Sequence, residues 1–170
     1  MTKKALNILL SLIILIPIVL FFGIWDYYAV NIPKWDDHAL KSFIIEYAGA
    51  TDWQGKLSAL VRQHNEHRIA LTRLFAWLDF SVFGSLNYRH LMVAGNLLLL
   101  LAIPIWYGLL KDNKKPYYAL IPVPFLWLSL ALWENMYWGM ASIQNFGVVT
   151  LSLWSIYLSV NKKFSLYIFN

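Results

Sequence analysis

Cysteine is absent from all 170 residues, which excludes disulfides, thiolate metal sites and cysteine nucleophiles. Charge is scarce as well: Asp, Glu, Lys and Arg together make up 14% of the chain, and only nine of those residues are acidic. The basic residues form no run interleaved with aromatics, so the electrostatic footprint of a nucleic-acid binder is missing and no nucleic-acid partner is expected. There is no glycine-rich phosphate loop, no serine nucleophile elbow, no His-Glu-x-x-His pair and no heptad pattern. Soluble nucleotide chemistry, serine hydrolysis of that type and zincin-type proteolysis therefore have no support. Internal repeats, low-complexity tracts and a second domain are also not apparent, and the chain reads as a single membrane domain over 1–170.

What the chain has in abundance is apolar surface. Hydrophobic residues account for 59% of it, aromatic residues for 17%, and mean hydropathy is +0.53. A soluble domain of this size could not bury so much, because small folds hide a lesser share of what they expose. The sequence therefore predicts an all-α, polytopic transmembrane helical protein with about four spans, at 6–25, 88–110, 117–133 and 143–160. At 1.5 Å per residue each can reach across all or most of the hydrocarbon layer. Nine Trp and ten Tyr suit the headgroup level, where amphipathic rings gather. The first apolar run is followed by Trp25-Asp26-Tyr27-Tyr28, which lacks the small residues of a signal-peptidase site, so it is expected to remain as an anchor.

Lysines mark the expected inner side. Lys3 and Lys4 precede the first span, Lys111, Lys114 and Lys115 lie between the second and third, and Lys162 and Lys163 follow the fourth. Four crossings return the C-terminus to the side of the N-terminus, and the positive-inside rule places both in the cytoplasm. That side holds seven lysines and one aspartate, against seven basic and eight acidic residues elsewhere. Residues 26–87 become an external loop, with short amphipathic helices expected around 38–47 and 55–63. The stretch 69–83 is apolar but short and carries Arg73 and Asp79. Placing those charges in lipid is expensive, so it reads as an interfacial or partly re-entrant helix.

Three polar clusters fall on the outer side. The first is Trp35-Asp36-Asp37-His38. Neighbouring carboxylates can share a divalent cation, or raise one another's pKa until one serves as a base; equally, aspartates are ordinary at a helix N-terminus. The second is Gln63-His64-Asn65-Glu66-His67-Arg68, dense in titratable groups; on a helix, Arg62 with Glu66 and His64 with Arg68 would instead form a solvated face. The third is Trp133-Glu134-Asn135 with Trp138, Gln144 and Asn145. Every Glu, every His and all but one Asp fall on one side of the expected topology, which favours a shared site.

In order, Asp36-Asp37, then Glu66-His67-Arg68-Ile69-Ala70-Leu71, then Val82-Phe83-Gly84-Ser85, then Tyr88-Arg89 resemble the start of the GT-C superfamily. These are membrane glycosyltransferases that use polyprenyl-phosphate sugars, the protein mannosyltransferase-like and aminoarabinose transferase-like enzymes among them. The run departs from that pattern where the family has Pro-Pro and this chain has Arg68-Ile69. Family enzymes also have many more spans, so the chain resembles an N-terminal portion or a truncated relative.

The resemblance implies transfer of a sugar from a polyprenyl-phosphate carrier to an acceptor at the external face of a bacterial-type plasma membrane. Asp36 or Asp37 would be the base, with magnesium or manganese as the divalent cation they could hold. Lipid phosphate and substrate would be met by Glu66, His67, Arg68 and Arg89, since guanidinium matches phosphate oxygens bidentately. His64, Glu134 and Gln144 join the candidate binding residues on topology alone. The competing expectation is a non-catalytic scaffold or partner subunit of a larger membrane complex. A small transporter would want ionisable groups at mid-bilayer depth, and the four spans offer none convincingly.

Overall fold

The computed structural model describes residues 2–160. The basic end formed by Lys162 and Lys163, and with it the position of the C-terminus, lies outside the described residues. The described chain is nearly all helical, and four helical segments are long and apolar enough to cross a membrane: Lys4–Tyr28, Tyr88–Asp112, Tyr117–Met136 and Gly139–Val160. The sequence-based spans fall inside these bounds. The last begins earlier than expected because Gly139–Ala141 (α9), a π-helical turn Ser142–Phe146 and Gly147–Val160 (α10) run on without a break.

Contacts gather in two compact units, one of residues 2–28, 98–133 and 148–160, the other of residues 29–97 and 134–147. The first unit contains α1 (Lys3–Tyr28), which buries Ile14, Phe21 and Trp25 along one stripe. Much of the rest of its surface, including Leu12, Leu15, Ile16, Val19 and Leu20, is exposed. Apolar side chains pointing outward all round are the mark of a helix meant for lipid. The buried stripe packs on the short helices Tyr117–Leu120 and Pro122–Trp127 (α7).

The second span is interrupted between α5 (Tyr88–Leu100) and α6 (Ile103–Asp112), because Pro104 has no N–H to continue the ladder. Carbonyls freed by such a break must find donors if no water is present. The Leu98 and Leu99 carbonyls keep short backbone bonds from Leu101 N and Ala102 N at 3.2 Å, and three side chains of the same unit add donors at the break: Thr150 Oγ1 donates to the Leu98 carbonyl at 2.9 Å, Trp127 Nε1 to Leu99 at 2.9 Å, and Trp154 Nε1 to Leu101 at 2.8 Å.

The second unit opens with a tight helical turn at Trp35–Asp37 and α2 (His38–Gly49), then α3 (Trp53–Val61), which Asp52 caps by accepting from Gly55 N. These helices match the two expected in the loop. The segment after α3 does not continue as a helix. Gln63–His64 (β1) and His67–Arg68 (β2) pair antiparallel around a two-residue turn whose first residue, Asn65, has φ 49°. Asparagine tolerates that left-handed backbone, which fits the tight hairpins whose twist matches their strands.

Four carbonyls at the end of α3 lack helical partners in this exit, and two arginines meet them. Arg73 reaches the carbonyls of Ala59, Leu60 and Arg62, and Arg68 Nη1 donates to Val61 O at 3.1 Å. A cation there also opposes the negative end of the helix dipole. Arg73 belongs to α4 (Ala70–Phe83), whose polar stripe of Thr72, Arg73 and Asp79 is buried while Leu74, Leu78 and Val82 are exposed. The expected two-faced helix is present with its polar side turned into the protein. Asp79 binds the start of α5, accepting from Asn87 N at 2.7 Å and facing His90 Nδ1 at 2.6 Å. Between the two, Gly84 ends α4 at φ 71°, a conformation glycine adopts without a Cβ clash.

Candidate functional site

Of the adjacent carboxylates, Asp37 is fully buried and Asp36 is half exposed. Asp37 Oδ2 accepts from Lys34 N at 3.0 Å and Oδ1 from Met140 N at 2.7 Å, with the Gly139 amide close by as a further donor. The carboxylate thus latches the turn at 34–37 to the start of the fourth span. Burial pushes its pKa up, the three backbone amides and His38 working in the opposite direction. Space at the latch is tight. A Cβ on Gly139 would lie 3.3 Å from Leu91 and 3.4 Å from Asp37 Oδ1, and one on Gly95 would collide with Ser142.

Asp36 lies on the other side of that turn and borders a cleft of 190 Å³ with His67, Trp138, Met140, Ala141, Gln144 and Asn145. Gln144 and Asn145 come from the π-helical turn, a distortion that recurs at functional sites because it re-aims side chains within a helix. Asn145 Nδ2 is fixed by the Asn135 side-chain oxygen at 2.9 Å. His64 Nε2 stands 3.7 Å from Asp36 Oδ2, within reach of a charge pair and longer than a hydrogen bond. The hairpin therefore brings both of its histidines to Asp36, their ring centroids 6.4 Å apart.

Trp35 opens the first polar cluster, and the sequence assigns it no role there. Its φ is 46° and it is 61% exposed, whereas a bulky residue with positive φ is an outlier held in place at a cost of about 1–3 kcal/mol. Its ring stands edge-on to Trp138 at 4.9 Å, and the Lys34 ammonium lies 4.4 Å from the centre of the Trp35 ring and 5.6 Å from that of Trp138. A tryptophan beside paired aspartates was visible in the sequence, but its backbone strain and its partner 103 positions away were not.

The structure thus gathers Asp36, His64, His67 and Gln144 of the expected residues. Asp37 lies behind them as a latch. Arg68 is exposed next to His67 and shares its guanidinium with Val61 O, while Arg89 is half-buried and donates to Ala29 O at 3.0 Å. Glu66 is exposed at the hairpin turn and Glu134 is exposed in α8 (Trp133–Met136); neither borders the cleft. Among the described residues, no group of three or more His, Asp or Glu side chains could hold a metal ion. A cation shared by Asp36 and Asp37 would need both carboxylates, and both oxygens of Asp37 are taken up by backbone amides, so the pair does not fit a shared cation.

Models of known protein families, curated proteins and solved structures were all compared with the chain, and none matches it.

Proposed function

We propose that this multi-pass membrane protein acts on carbohydrate in the cleft beside Asp36, in the manner of a glycosyltransferase supplied by a polyprenyl-phosphate sugar. The observation that carries this reading is Trp35, exposed and held in a strained backbone next to a half-exposed carboxylate and against Trp138. Apolar ring faces next to carboxylate and carboxamide groups suit a sugar, which has C–H faces to stack and hydroxyls to bind. Strain maintained at a surface position points to use of the residue there.

In the proposed reaction an acceptor hydroxyl attacks the anomeric carbon of the donor. The bond from that carbon to the phosphate oxygen breaks, polyprenyl phosphate leaves, and Asp36 takes the hydroxyl proton. His64 faces the same carboxylate and orients it. Gln144 and Asn145 bind sugar hydroxyls, and Arg68 meets the leaving phosphate beside His67. Asp37 is a positioning residue. The proposed orientation follows the lysines, with the N-terminus and the 111–116 turn in the cytoplasm.

Membranes containing the full chain, given a labelled polyprenyl-phosphate sugar, provide the test. Asp36→Asn and Trp35→Ala should each lower transfer at least about a hundredfold with protein yield unchanged. Transfer that survives both substitutions, or none by the unaltered protein, would reject the assignment. The second reading, a subunit that docks to another membrane protein, is favoured by the exposed Leu74, Leu78 and Val82 of α4. It predicts co-purification of a partner that is lost on replacing those residues, and indifference to Asp36→Asn.

A further inference from the structure

The first unit contains a basic cavity that the carbohydrate reading does not use. It measures 430 Å³ and is bordered by Lys111, Lys114, Lys115, Asn7, Ser11, Tyr107 and Tyr117, with Leu110 and Leu120 completing the wall. Its geometry comes from the end of α6. After Asp112 the chain turns back through Lys114 at φ 54°, with Lys114 N bonded to Lys111 O at 3.0 Å and Lys115 N to Leu110 O at 2.8 Å. Opposite the turn, Asn7 and Ser11 lie one helical turn apart on α1, and the Ser11 hydroxyl meets the Tyr117 hydroxyl at 3.1 Å.

Lysine at a helix C-terminus is favoured by the dipole, which would account for one of the three. The positive-inside rule accounts for lysines in this turn; neither it nor the dipole calls for all three to border one space with Asn7, Ser11 and two tyrosines. Among the described residues no carboxylate borders the cavity, and Asp112, the nearest in sequence, is within 3.4 Å of the Tyr157 hydroxyl instead. None of the three lysines forms a salt bridge among the described residues. Three like charges bordering one space raise its positive potential, which favours an anion there.

A second opening of 530 Å³ shares Asn7 and Ser11 with the first and continues along α1 past Lys4, Ile8 and Leu12. Ile8 is 53% and Leu12 56% exposed. A cationic, hydroxyl-lined space that runs into exposed aliphatic surface on a helix fit to cross the bilayer has two chemistries in sequence: one for a phosphate, one for hydrocarbon. We infer that this cavity binds the phosphate of an anionic membrane lipid, with the lipid's chains along Ile8 and Leu12. Basic pockets between membrane helices on the lysine-rich side have this property. The inference does not depend on the Asp36 cleft.

The test uses the full chain in a neutral detergent, with native mass spectrometry reading the fraction that retains phosphatidylglycerol or phosphatidylcholine. Phosphatidylglycerol should be retained at least about tenfold more tightly. The triple substitution K111Q/K114Q/K115Q should weaken it by about a hundredfold, each lysine near the surface being worth about fivefold. K111R/K114R/K115R should keep it, and K41Q/K56Q, which removes two lysines of the second unit, should leave it unchanged. The glutamine variant is read only beside the arginine one, so loss of fold cannot pass for loss of site. Equal retention of the two lipids would overturn the inference, as would equal loss in K41Q/K56Q. Displacement of phosphatidylglycerol by millimolar inorganic phosphate would overturn the lipid assignment in favour of a free anion.

Discussion

The two units solve the problem of unpaired polar groups in opposite ways. In the first, neutral side chains serve the backbone: Thr150, Trp127 and Trp154 each donate one hydrogen bond to a carbonyl at the break before Pro104. In the second, buried charges do that work, with Arg73 on the end of α3, Asp79 on the start of α5 and Asp37 on the amides of Lys34 and Met140. Neutral donors are inexpensive to bury and weak, whereas buried ions are strong partners whose removal strands several groups at once. The second unit should therefore be the more vulnerable to single substitutions, though it is the less apolar of the two.

The largest effect is expected at Asp37. Asp37→Ala leaves the amides of Lys34, Gly139 and Met140 without an acceptor and should cost about 3–5 kcal/mol, measured by thermal unfolding in detergent with tryptophan fluorescence. A loss below about 1 kcal/mol would mean the latch is replaceable by water. The same carboxylate has a pH signature. Its folded-state pKa is raised by burial, so the folded protein holds the proton more tightly than the unfolded chain does. The resulting penalty is absent below the ordinary carboxylate range and complete above the raised value. Asp37→Asn removes this titration, so the stability of the unaltered protein relative to that variant should fall as pH rises through this window. A flat difference would contradict the raised pKa.

Arg73→Met comes next, at about 3 kcal/mol, because it keeps the side chain's bulk while stranding carbonyls at the end of α3. Burial lowers the pKa of this guanidinium, with Glu46 acting against that, but it stays charged at any ordinary pH. Hydrogen exchange should show α3 and the hairpin opening first. If the loss appears elsewhere, the arginine is not their anchor. The smallest effect belongs to the first unit: Trp154→Phe removes one bond to Leu101 O and should cost about 1 kcal/mol. A cost equal to that of Arg73→Met would erase the contrast between the units.

Much of this could be read without coordinates, and the reason differs by region. The spans were legible because lipid imposes one long apolar run per crossing, and helices at 38–49 and 53–61 emerged near the places expected. The hairpin was not legible. Residues 62–68 carry charges spaced four apart as on a helix, and only the left-handed backbone of Asn65 turns the chain back. The paired aspartates were visible as a pair. Their different surroundings were not, since Asp37 is buried against amides that include Met140 N, 103 positions away, while Asp36 stays half exposed.

Composition and the spacing of apolar runs by themselves determined that the chain is helical and fit to cross a membrane about four times, because each helix satisfies its own backbone and needs only a suitable solvent. Tertiary structure alone decided which polar residues stay exposed and which are consumed as caps. It also decided that a tryptophan is strained beside the exposed aspartate and that three lysines share one cavity with α1. Those outcomes depend on where distant chain segments meet, and no local pattern encodes such meetings.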